Sequence, residues 1–209
     1  MTDAFVETPA EPSGDRLQIL AAIILGIAAT LTAFSAYQAA LSDGEALQGF
    51  TTSTRTLSDA NAFYAEANQT FALDQQLFVS YATAAQEGNV ALSDYLITLM
   101  RPELVAAVEW WAVTDAAVTP FDDLEGNPYT IEQIDTATGL EDQASAEFAD
   151  GAAADEIGDR YELAGVLFAL TLFFGGIATL FSKRSVTVGL LGVAILTLSL
   201  GAIRLVSAV

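Results

Sequence analysis

The sequence predicts an all-α fold: a helical membrane protein with three transmembrane helices and an antiparallel helical bundle inserted between the first and second. Three observations predict it. The 209 residues contain three uncharged apolar runs, each near the length needed to cross a bilayer. The charge lies outside those runs, with 27 acidic side chains against 7 basic ones in a chain that is 53% apolar. Alternating strand patterns are absent, whereas helical and seven-residue spacings recur along the interior.

Residues 1–16 carry Pro9, Pro12, Gly14 and several acids with little apolar surface to bury, which predicts a disordered acidic tail. Residues 17–40 are apolar and uncharged, and a helix of about 24 residues rising about 1.5 Å each crosses a hydrocarbon core of ~30 Å. They form the first expected span. A cleaved signal peptide is disfavoured, because the preceding tail is acidic, the run is long and no small-residue cleavage motif closes it well. Residues 41–160 are the acidic extramembrane domain. Residues 161–182 and 186–207 are the second and third spans, joined by a link around Ser182, Lys183, Arg184 and Ser185 that is short enough to force a hairpin. The two cations of that link favour the cytoplasmic side. The expected topology therefore has Arg16 and the N-terminus cytoplasmic, residues 41–160 exterior, and the short segment after Arg204 exterior.

Within the exterior domain, Phe50, Leu57, Tyr64, Phe71 and Phe78 recur every seventh residue, with Ala60, Ala67 and Tyr81 three positions further on. This predicts a heptad seam on a long helix, whose register runs back through Ala36, Ala29 and Ala22, with Asp43 and Gly44 as candidate breaks. Glu87, Gly88 and Asn89 form a stop. A shorter helix is expected from Val90 to Met100 and another from Pro102 to about Ala116. Pro120, Gly126 and Pro128 mark a loop over 119–129, and Thr130 with Gln133 resembles a capping box that opens a helix leading into the second span, with candidate breaks at Gly139 and Gly151.

Composition narrows the function. With no cysteine and no histidine, thiolate sites, cysteine nucleophiles and the commonest general base are missing. No nucleophile–base pair or phosphate loop is visible, so the expectation is a protein that is not an enzyme and needs no cofactor. A net charge of −20 opposes nucleic acid and anionic surfaces. Lys183 is the single lysine, and the acid excess resembles the surfaces of proteins from salt-accumulating halophiles. The expected partners are the lipid bilayer and either further copies of this chain or a membrane-complex subunit.

Several groups stand out as candidate sites. Ala22, Gly26 and Thr30, with Ala29, Ala33 and Ala36, offer a small-residue helix-packing interface in the first span, for a helix of this chain or of another copy. Thr30, Thr32, Ser35 and Gln38 could line an oligomeric pore, although such groups usually hydrogen-bond between helices. No ionisable residue lies mid-span, which argues against a coupled transporter. Trp110, Trp111, Arg160, Tyr161, Lys183 and Arg184 are candidate membrane-interface residues. Asp122, Asp123, Glu125 and Asn127 bracket Gly126 at a spacing that departs from an EF-hand, so a solvated acidic loop is favoured over a calcium site and no metal is expected. Asp155, Glu156, Asp159 and Glu162 mark the membrane boundary.

The phrases Ala36-Tyr37-Gln38-Ala39 and Gly158-Asp159-Arg160-Tyr161-Glu162-Leu163 resemble those of a group of uncharacterised prokaryotic, haloarchaeal-like membrane proteins with this span layout. That resemblance implies no activity. The leading expectation is a structural or accessory subunit acting through its exterior helical domain as an oligomer. The alternatives are an oligomeric cation channel and a sensor subunit that lacks its own output domain.

Overall fold

The computed structural model describes residues 13–114 and 118–208. The described residues form five α-helices and no strand: α1 (Ser13–Gln86), α2 (Val90–Leu99), α3 (Pro102–Ala112), α4 (Glu132–Ala178) and α5 (Arg184–Ala208). Three of them, α1, α4 and α5, are long and apolar enough to cross a membrane. The expected tail falls outside the described residues up to position 12, and α1 already begins at Ser13.

Two compact units divide the chain: Met1–Phe50 with Ala149–Val209, and Thr51–Phe148. Residues 41–50 and 149–160, the two ends of the segment 41–160, thus fall in the compact unit that holds the apolar helical stretches. The reason is a pair of close approaches inside the first unit. A Cβ at Gly151 would lie 3.1 Å from the Ala46 carbonyl, and one at Gly158 would lie 2.8 Å from Asp43 Oδ1. Glycine at both positions lets α4 lie against α1.

In the first unit, Ala21 and Ile24 of α1 pack with Ala178 of α4 and with Leu191 and Ala194 of α5. Ala39, Tyr161 and Ala208 pack together at the other ends of the same helices. α5 therefore runs alongside α1 in the same direction, and α4 runs opposite to both. Phe168, fully buried on α4, covers Gly201 of α5 so closely that an added Cβ would sit 2.6 Å from its ring. Thr171 and Thr197 share a hydrogen bond of 2.8 Å between α4 and α5.

The second unit is built on the same seven-residue rule, but along a line of small residues. Ser53, Ala60, Ala67 and Asp74 are buried at that spacing on α1, with Thr56 and Ala84 beside the line. Their counterparts on α4 are Ala137 and Ala144. Ser53 Oγ donates to the Ala144 carbonyl at 2.7 Å, and Thr56 Oγ1 donates to Glu147 at 2.8 Å. Ala60 and Ala67 of the expected seam thus lie on the buried line, while its large residues flank it: Tyr64, Phe71 and Phe78 are half-buried and Leu57 is 43% exposed; Phe50, in the first unit, is half-buried. Small residues occupy the closest line because only they let two helix backbones approach at that separation.

Helix boundaries differ from expectation where local chemistry intervenes. Neither Asp43–Gly44 nor Gly139 nor Gly151 interrupts a helix. The stop after Gln86 forms as expected: Gly88 takes φ +71 and the Asn89 N–H reaches back to the Ala84 carbonyl, while the Asn89 side chain caps α2 by accepting from the Leu92 N–H. α3 closes at Ala112, before the expected Ala116, because the Val113 and Thr114 N–H groups turn back to the carbonyls of Trp110 and Trp111. α4 starts at Glu132 rather than at the Thr130 box, with Ile131 buried at its entrance and its carbonyl accepting from Ile134. α4 ends at Ala178, because Thr179 and Leu180 close a tighter turn onto Gly176 and Ile177.

Candidate functional site

The second unit gathers its aromatic residues around one buried charge. Asp74 is 4% exposed, and its Oδ2 accepts from Arg101 Nε at 2.6 Å and from the Tyr129 hydroxyl at 2.9 Å. Arg101 also reaches Glu103 at 3.1 Å and lies 5.0 Å from the centre of the Tyr129 ring. The latch thereby ties the loop to α1 and to the start of α3, where Arg101 holds the N-cap position. Burial alone would lower the Arg101 pKa, but hydrogen bonds to Asp74 and Tyr129 and the charge of Asp74 carry it above its ordinary value. Burial is the largest influence on Tyr129 and pushes its hydroxyl up to about 12, against the lowering effect of Arg101.

Phe121 stands edge-on to Phe71, Phe78 and Tyr129, with ring centres 5.5, 5.6 and 5.0 Å away. Trp111 stands edge-on to Phe78 at 5.1 Å and donates its Nε1–H to the Val118 carbonyl. The loop holds its shape through Asn127, whose amide donates to the carbonyls of Pro120 and Asp122 and whose Oδ1 accepts from the Tyr129 N–H. Gly126 supplies the positive φ (+86) that this turn requires. Asp122 accepts from the Thr119 N–H.

Between this loop, α1 and the start of α4 lies an open cleft of about 730 Å³. Tyr64, Asn68 and Phe71 line it from α1, Phe121, Asp123 and Tyr129 from the loop, and Ile134 and Asp135 from α4.

The residues singled out in the sequence fall as follows. Ala22, Gly26, Ala29, Thr30, Ala33 and Ala36 are all exposed, and a Cβ added at Gly26 would meet nothing within 4 Å. Among the described residues they face away from the chain's own helices, as a contact with another copy would need. The packing surface inside the chain lies one residue earlier, at Ala21, Ala28 and Ser35, together with Ile24 and Ala39. Thr30 and Thr32 bond back to their own helix, and Ser35 is fully buried. Tyr161 is buried against Ala39 and Ala208, whereas Arg160, Lys183 and Arg184 are exposed. Arg160 pairs with Glu156 one turn away. Trp110 and Trp111 are half-buried, and Trp111 belongs to the aromatic cluster. Among the described residues, no group of three or more carboxylates is placed to hold a metal, and Asn127, a candidate ligand by spacing, is committed to the loop.

Sequence reading missed the Asp74–Arg101–Tyr129 latch. A signal was present, since Asp74 is the one acid on the buried line Ser53, Ala60, Ala67, Asp74, where a carboxylate needs a cation nearby.

No protein-family model, characterised protein or solved structure matches this chain. The functional reading rests on the chemistry of the chain itself.

Proposed function

We propose that the chain is an integral membrane protein that crosses the bilayer three times and acts without catalysis, as an accessory subunit whose acidic helical unit makes the contacts. One observation carries the membrane part. The apolar runs of α1, α4 and α5 leave Ile23, Ile27, Val166, Phe173, Leu196 and Ile203 between 47% and 65% exposed. Outward-facing side chains of that size in an uncharged segment suit lipid and not water. The contact role is supported by α2, whose Leu92, Tyr95 and Leu99 lie 43%, 60% and 50% exposed at helical spacing on an otherwise acidic unit. The non-catalytic character rests on the sequence, which lacks histidine and cysteine. The topology that goes with this reading has the N-terminus and the Lys183–Arg184 link cytoplasmic.

Light scattering of the full chain in mild detergent, corrected for detergent mass, tests the subunit role. An assembly of several copies, or a stoichiometric co-purifying protein, is the expected result; a monomer without a companion would refute it. A closed ring of four or more copies would instead favour a cation channel. The sensor reading has its own support in the cleft of the second unit, whose mixed aromatic and carboxylate lining is that of a recognition site.

A further inference from the structure

We propose that the cleft in the second unit binds a small organic cation with an apolar body. The ammonium head sits at Asp123 and Asp135, and the body lies against Tyr64, Phe71 and Phe121. The volume of about 730 Å³ suits a small molecule. Its lining contains aromatic residues from two elements and carboxylates from two, and no lysine or arginine. Asp122 is engaged by the Thr119 N–H, whereas Asp123 and Asp135 accept no hydrogen bond among the described residues and retain their full capacity for a ligand.

Charge complementarity selects the ligand class. An anion would meet carboxylates in a chain of net charge −20. A neutral apolar molecule would fill the aromatic part and gain nothing from the carboxylates. A divalent metal would need at least three converging ligands, which the described residues do not provide. An organic cation satisfies both halves, since aromatic rings attract ammonium groups as well as apolar surface. The Tyr129 ring already carries such a contact with Arg101.

This inference deepens the sensor reading and is independent of the number of spans. Its test is calorimetric titration of the full chain, in nanodiscs of zwitterionic lipid at low salt, with benzyltrimethylammonium as the probe and benzyl alcohol as its neutral counterpart. The expected result is saturable binding of one cation per chain, no comparable binding of the alcohol, and affinity weakened about tenfold or more by Asp123→Asn combined with Asp135→Asn. Both substitutions are at exposed positions, and unchanged tryptophan emission verifies that the unit remains folded. Absence of saturable binding, equal binding of benzyl alcohol, or unchanged affinity in the double variant would each overturn the proposal. Light scattering of the same preparation keeps the two readings apart, because an intact assembly that ignores the cation sinks the ligand and leaves the subunit role standing.

Discussion

Asp74→Ala removes the centre of the latch, and its cost follows from the geometry. The substitution deletes the bonds of 2.6 Å from Arg101 and 2.9 Å from Tyr129, and it leaves a guanidinium whose side chain is only 23% exposed without its buried partner. Breaking a buried ion pair from one side costs about 3–5 kcal/mol. Arg101 keeps Glu103 at 3.1 Å and some contact with water, so the lower end, about 3 kcal/mol, is expected. With a urea dependence of about 2 kcal/mol/M, the unfolding midpoint of the second unit falls by about 1.5 M. Tryptophan fluorescence of the full chain reads that unit alone, because the only two tryptophans are Trp110 and Trp111 of α3. Replacing the pair together, by Asp74→Leu with Arg101→Met, should recover much of the loss, since no charge is then stranded. A loss below about 1 kcal/mol for Asp74→Ala would put the latch in the class of surface pairs and refute its role.

Gly201→Ala should destabilise the first unit by about 1–3 kcal/mol, because the new Cβ meets the fully buried Phe168 ring at 2.6 Å; a lowered thermal transition in detergent measures it. Gly139→Ala should do the opposite to the second unit, adding about 0.5–1 kcal/mol in urea, since α4 is helical there and nothing lies within 4 Å of the added atom. The Tyr129 hydroxyl holds its proton more firmly in the fold than in the unfolded chain, with its pKa pushed up to about 12. The unfolded state therefore binds fewer protons above about pH 10, so this contribution is complete below that pH and is lost as pH rises toward about 12. Urea midpoints across that window should fall less steeply in Tyr129→Phe than in the parent chain.

The three long apolar helices were legible because an uncharged run of about 20 residues carries its own signal. The stop at Gly88–Asn89 was equally plain, since a left-handed glycine followed by a capping asparagine needs no tertiary context. The seam was read at the right period, and its second row, Ala60 and Ala67, lies on the buried line, whereas its aromatic row flanks that line. Aromatic residues at Phe50, Tyr64, Phe71 and Phe78 outweigh Ser53, Ala60 and Ala67 in any hydropathy argument, yet close helix contact selects for small volume. Near the start of α1 the buried alanines are Ala21 and Ala28 rather than Ala22 and Ala29, and with alanine in both rows residue size could not choose between them. The latch joins residues 27 and 55 positions apart, and no local pattern specifies such a pairing. The cleft depends on that loop placement and was hidden for the same reason, its acids reading as a solvated loop.

Single-cysteine accessibility tests the three-span account most directly, since the chain has no cysteine of its own to interfere. Ala85→Cys, exposed near the end of α1, and Ser185→Cys, exposed at the start of α5, would each be treated with a membrane-impermeant maleimide in intact cells. The account predicts reaction at position 85 without permeabilisation and at position 185 only after it. Equal reaction at both positions in intact cells would contradict the crossing of the membrane by α4, the long apolar helix between them.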